Sequence, residues 1–117
     1  MINESVKDII KKLSYYCQSC YTSMHLFNDL VENRKLELLN DLLMKIIEDI
    51  TNLIKFYSEL NLSVSVISNI NNKLELVMDG YTNLDYFYIK DIFEYEILPI
   101  VESIFDEVKK VIFNEEN

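Results

Sequence analysis

The sequence predicts an all-α fold, an antiparallel four-helix bundle built from two αα-hairpins. Apolar residues recur every three or four positions through long stretches, the spacing that lines one side of a helix. The 117 residues include one glycine and one proline, too little punctuation for a turn-rich β-sandwich or a nucleotide-binding α/β fold. The links between periodic stretches are short, which makes consecutive helices antiparallel neighbours. With 50% hydrophobic residues the chain reads as a single domain over residues 1–117, able to build a core without disulfide staples.

The first helix is expected to start near Asn3 or Ser5, either of which can cap, with Glu4 and Asp8 beside the unpaired N–H groups of the first turn. Its seam is Val6, Ile10, Leu13, Cys17, Cys20, Met24, Phe27 and Val31, which carries it to about residue 31. Residues 32–35 form the connection. The second helix covers residues 36–60 on Leu36, Leu39, Leu43, Ile46, Ile50, Leu53, Tyr57 and Leu60.

Leu60, Leu62, Val64 and Val66 then alternate with polar residues, a strand pattern with no second strand to pair with. A loop over residues 61–66 is the better reading, with Ser63 or Ser65 capping a third helix. That helix runs to about Asp79 on Ile67, Ile70, Leu74 and Val77, and Gly80 stands where a left-handed residue would end it. Thr82, Asn83 or Asp85 caps the fourth helix, whose seam is Tyr86, Ile89, Phe93, Ile97, Ile100, Ile104, Val108 and Val111. Pro99 lies inside this pattern and removes the donor that the Tyr95 carbonyl would use, so a kink is expected there. The charged tail, residues 114–117, should fray.

Two hairpins are also suggested by an internal echo. At an offset of fifty, residues 24–54 and 74–104 match at Leu26 with Leu76, Asp29 with Asp79, Asn33 with Asn83, Asp41 with Asp91, Ile47 with Ile97, Ile50 with Ile100 and Ile54 with Ile104. Both turns fall in register.

The formal net charge is −9, from 20 acidic and 11 basic residues, and the cations are scattered. Nucleic acid and anionic membrane are therefore poor partners, because both need clustered cations. A basic or neutral protein is the better one. The start of the chain has no signal-peptide pattern and no apolar span nears the ~18 to 20 residues a bilayer requires. A cytoplasmic protein is expected, and two cysteines three positions apart in a helix agree with a reducing compartment.

Candidate chemistry is sparse. Cys17-Gln-Ser-Cys20 has the CxxC spacing of redox and zinc sites, but it lies mid-helix rather than at a helix start that would lower a thiol pKa. Zinc needs two further ligands, and His25 is the only histidine. No Glu precedes it at the spacing of di-iron bundles, and one glycine cannot build a phosphate loop. Asp91, Glu94, Glu102 and Asp106 recur along the fourth helix and read as a solvated face. No cofactor, metal or catalytic residue is assigned.

Aromatic residues carry the functional hint. Tyr86, Phe87 and Tyr88 are consecutive and cannot all face one seam. Tyr88, Ile92, Tyr95 and Pro99 make a second stripe, echoed at the offset of fifty by Leu38 and Leu42. Either this arc packs against two neighbours within the bundle or it is a binding surface. The expected function is a non-enzymatic interaction module that binds a protein partner, or its own copy as a homodimer, through Leu38, Leu42, Tyr88, Ile92 and Tyr95. The alternative is a thiol-dependent module in which Cys17 and Cys20 hold zinc between subunits or sense oxidants.

The run Asn83-Leu-Asp-Tyr, followed by Asp91, Glu94, Tyr95, Glu96, Leu98 and Pro99 as Asp-x-x-Glu-Tyr-Glu-x-Leu-Pro, resembles the C-terminal signature of a family of small bacterial helical proteins of unknown function. The resemblance covers residues 83–102, with weaker similarity around Asn33 and Asp41, and implies a helical bundle without implying an activity. In overall plan the chain is also similar to flagellar export chaperones, short acidic bundles that clamp an amphipathic partner, an analogy of fold rather than of motif.

Overall fold

Long periodic stretches become helices because each buries its apolar stripe against the next. The computed structural model describes the backbone of residues 4–116 and the side chains of residues 5–111. The elements are α1 (Glu4–Glu32), α2 (Leu39–Glu59), α3 (Val64–Thr82), α4 (Tyr86–Ile92), a π-helical turn (Phe93–Ile97) and α5 (Leu98–Glu116), with no strand among the described residues. The last three run on directly as one rod, the fourth arm of an all-α bundle. α1 packs along α2 and against α4 and α5, while α3 packs against α2 and α4, in a body measuring 48 × 23 × 20 Å.

The seams of the first hairpin are buried as read, apart from Leu36 and the half-buried Val6 and Leu60 at the far end. Ile10, Leu13, Cys17, Cys20, Met24, Phe27 and Val31 of α1 face Leu39, Leu43, Ile46, Ile50, Leu53 and Tyr57 of α2. Leu36 is not part of this seam. It stays exposed in a connection that runs to Leu38, because α2 begins at Leu39 with no side-chain cap. At the other end, Ser5 lies inside α1, so it does not cap it; Asn3 lies outside the described residues.

The echo at the offset of fifty is realised in the backbone. In the first turn Arg34 N–H donates to the Val31 carbonyl and Lys35 N–H to the Leu30 carbonyl; in the second, Leu84 N–H donates to the Tyr81 carbonyl and Asp85 N–H to the Gly80 carbonyl. These are two Schellman closures with one pattern. Asn33 Nδ2 donates to the Asp29 carbonyl at 2.8 Å and Asn83 Nδ2 to the Asp79 carbonyl at 3.0 Å. The left-handed residues of these two turns are Arg34 (φ 57°) and Leu84 (φ 54°).

Gly80 is therefore not the left-handed stop. It lies within α3, which continues to Thr82, and it is buried. A Cβ there would stand 2.7 Å from Ile89 Cγ1 and 3.0 Å from Tyr88 Cδ2, so the missing side chain lets α3 and α4 approach closely. Ser63 caps α3, its hydroxyl accepting from Val66 N–H, and Asp85 caps α4, its carboxylate accepting from Tyr88 N–H at 3.0 Å. The stretch read as a loop over residues 61–66 is shorter than expected, since α3 opens at Val64.

Where a kink at Pro99 was expected, the structure has the π-helical turn, closed by Leu98 N–H donating to the Phe93 carbonyl. Pro99, which has no N–H to give to the ladder, follows directly in α5, so the widened turn stands where the regular hydrogen-bond pattern is interrupted. The wider turn shifts the buried face only locally. Ile100 is half-buried while Leu98 and Val101 enter the core, and the expected seam resumes at Ile104 and Val108, both buried. Helical backbone continues through Glu116.

Candidate functional site

Both hairpin turns lie at one end of the bundle. Tyr86 Oη donates to Asn40 Oδ1 at 2.9 Å, tying the start of α4 to the start of α2, and Lys90 Nζ pairs with Glu32 at 3.2 Å, tying α4 to the end of α1. Around these ties stand side chains that no helix covers. Leu38 is 64% exposed and Leu84 66%, and Leu36 and Phe87 are exposed as well. Leu84 faces water because its residue closes the turn in the left-handed conformation and stands outside both flanking helices. Next to it a cleft of about 260 Å³ is lined by Asp79, Gly80, Asn83, Asp85 and Tyr88. Exposed charge at this end is mainly acidic: Glu37, Asp41, Asp79, Asp85 and Asp91 against Arg34 and Lys35.

The five residues singled out from sequence separate into three groups. Leu38 and Tyr88 belong to this end, Tyr88 with 37% of its surface exposed. Tyr95 is exposed too, but it stands on the π-helical turn about two turns further along the rod. Leu42 is half-buried against the core and Ile92, at 8% exposure, is inside it. Ile92 is thus a core residue, because α4 lies between α1 and α3 and must offer apolar groups to both. Leu84 was missed, its only signal being an apolar residue beside a turn; Leu36 was read as part of the α2 seam, and Phe87 only as one of three consecutive aromatic residues that cannot share a face.

The cysteines are buried and unpaired. Burial pushes the Cys17 thiol up to about 12 from its ordinary 9.0, and burial with the nearby Asp49 charge pushes Cys20 up further. Neither thiol supplies a thiolate at neutral pH. Among the described residues no three His, Cys, Asp or Glu side chains converge as a metal would require. His25 is exposed and packs edge-on against Tyr21, ring centroids 4.4 Å apart.

A polar cluster between α1 and α2 had not been picked out. Ser19 Oγ donates to Asp49 Oδ2 at 2.6 Å, and Lys45 Nζ donates to that same oxygen at 2.7 Å, to Ser19 Oγ at 2.8 Å and to Ser23 Oγ at 3.3 Å. Asp49 and Ser23 are buried. The sequence signal was Asp49 itself, three residues after Ile46 and four before Leu53, inside the seam's arc. A serine beside a lysine is a nucleophile and base in some hydrolases. Here the lysine is held by a carboxylate and two hydroxyls, and the cluster instead pins the register of α1 on α2.

A family model described as a domain of unknown function (DUF8042) matches residues 8–107. No curated protein and no solved structure matches the chain. Among the described residues no helix is long and apolar enough to cross a membrane.

Proposed function

The chain belongs to this family, the domain of unknown function DUF8042, and from that premise we propose that it is a non-enzymatic protein-interaction module. The observation that supports this is the apolar end of the bundle, where Leu36, Leu38, Leu84, Phe87 and Tyr88 stand exposed on and beside the two turns with an acidic surround. Large apolar side chains without cover mark interaction surfaces, and aromatic residues give much contact area for little lost freedom. The occupant is an apolar protein segment flanked by basic residues. A second copy of this chain is disfavoured there, since Glu37, Asp41, Asp79, Asp85 and Asp91 would meet their like. A reducing, cytoplasmic setting suits the two free thiols. The thiol-dependent reading lacks comparable support, as both cysteines are buried and burial pushes both thiols up.

The test uses a labelled helical peptide of leucines and lysines at three-four spacing, titrated with the full chain and read by fluorescence anisotropy. Binding should weaken at high salt and fall at least tenfold in Leu38→Ser, Leu84→Ser, Phe87→Ser, a variant expected to keep its helical circular dichroism because all three side chains are exposed. Equal binding of a leucine–glutamate peptide, or unchanged binding by the triple variant, would overturn the proposal. Dimerisation that the same substitutions abolish would replace the basic partner with a second copy.

A further inference from the structure

On the flank of the bundle, away from the apolar end, α1 and α5 leave a groove of about 450 Å³ between them. That volume lies within the range of small-molecule sites. Cys17 and Val101, both buried, give its floor an apolar character, and the rings of Tyr21 and Phe105 stand on opposite helices. Gln18 and Thr22 supply neutral polar groups on the α1 side.

The charges on the α5 side are the informative part. Glu102 and Asp106, one helical turn apart, both line the groove and both are exposed. Neither has an ion-pair or hydrogen-bond partner among the described residues. Lys109 is close in sequence and lines the same groove, yet its ammonium stands over the Phe105 ring, 4.7 Å from the centroid. The local cation is therefore held by an aromatic face, which leaves the two carboxylates for something else. Among the described residues no three His, Cys, Asp or Glu side chains come together here as a metal site would need.

We propose that this groove binds a small organic cation, a primary ammonium carried on an apolar body. The ammonium sits between Glu102 and Asp106, and the body lies on Val101 and Phe105 with the Tyr21 ring opposite. A ligand of this kind joins the two features the groove offers, unpaired negative charge and apolar floor, that neither a purely hydrophobic molecule nor an inorganic ion would use together.

The probe is 2-phenylethylammonium, with 2-phenylethanol as its uncharged analogue, added to isotopically labelled full-length protein and followed by backbone amide shifts. The ammonium compound should give saturable shifts confined to residues 17–22 and 101–109, the alcohol weaker ones. Glu102→Gln, Asp106→Asn removes the charge at exposed positions, and should weaken the ammonium compound about tenfold while leaving the alcohol unchanged. Tyr21→Ser should weaken both. Absence of saturation, equal affinity for the alcohol, or unchanged affinity in the Glu102→Gln, Asp106→Asn variant would overturn the proposal.

Discussion

Replacing Gly80 by alanine sets two effects of opposite sign against each other. In an ordinary helix interior the change stabilises by about 1 kcal/mol, because alanine loses less backbone freedom on folding. Here the added Cβ would meet Ile89 Cγ1 at 2.7 Å and Tyr88 Cδ2 at 3.0 Å, whereas non-bonded carbons prefer roughly 3.5–4.0 Å. Ile89 is fully buried, so it cannot retreat without displacing the core beyond it. Overpacking of this kind costs about 1–3 kcal/mol. The crowding should win in a site this closed, for a net loss of about 1 kcal/mol and a fall in Tm of about 3–6 °C for a chain of this size. Urea and thermal unfolding followed by far-UV circular dichroism measure it. A double-mutant cycle identifies the cause: Ile89→Ala alone should cost about 2–5 kcal/mol, and the pair should cost at least about 1 kcal/mol less than the sum. A more stable Gly80→Ala, or a cycle with no coupling, would refute the claim that this glycine is present for close helix approach.

Four further outcomes follow. Arg34→Gly and Leu84→Gly relieve left-handed backbone at exposed positions, and each should raise the urea midpoint, by about 0.5–1 kcal/mol of stability. Asp49→Ala leaves the Lys45 ammonium and the Ser19 hydroxyl without their shared acceptor, and should cost about 1–3 kcal/mol in the same assay; no loss would mean the cluster does not pin the hairpin. Burial and the Glu107 carboxylate, which accepts from Tyr57 Oη at 3.2 Å, push the Tyr57 phenol up to about 12 from 10.0. Cys17 also rises to about 12, from 9.0. Both folded-state values lie above the unfolded ones, so their contribution is complete below about pH 9 and is lost as pH rises towards 12. Stability measured against pH should decline over that window, less steeply in Tyr57→Phe. Finally, a thiol reagent such as 5,5′-dithiobis(2-nitrobenzoate) should leave Cys17 and Cys20 untouched in the native protein and modify both in urea; fast native reaction would show that the sulfurs are accessible.

The first hairpin was legible because its information is local. A seam such as Leu39, Leu43, Ile46, Ile50, Leu53 and Tyr57 declares both the helix and its buried side. The same holds for the paired turns, since Asn33 and Asn83 occupy equivalent positions in the repeat and each closes its helix on the carbonyl four residues back. The second hairpin was less legible. Periodicity could not reveal the π-helical turn ahead of Pro99, and past it the expected Ile100 yields its buried place to Leu98 and Val101. The contact set suffered for a related reason: a stripe drawn on one helix contains both Tyr95, at 68% exposure, and the buried Ile92, and only the neighbouring helices distinguish them.

Sequence alone determined that this chain is helical, antiparallel and acidic, because repeat spacing, turn residues and charge are properties of short segments. Tertiary structure decided which apolar groups lack cover, why Gly80 is a glycine, and that Glu102 and Asp106 share a groove with Cys17 and Tyr21. Those facts depend on what lies across a helix interface: Gly80 meets Ile89 across a turn that sequence could not fold, and the groove joins residues some eighty-five positions apart, beyond any window of sequence.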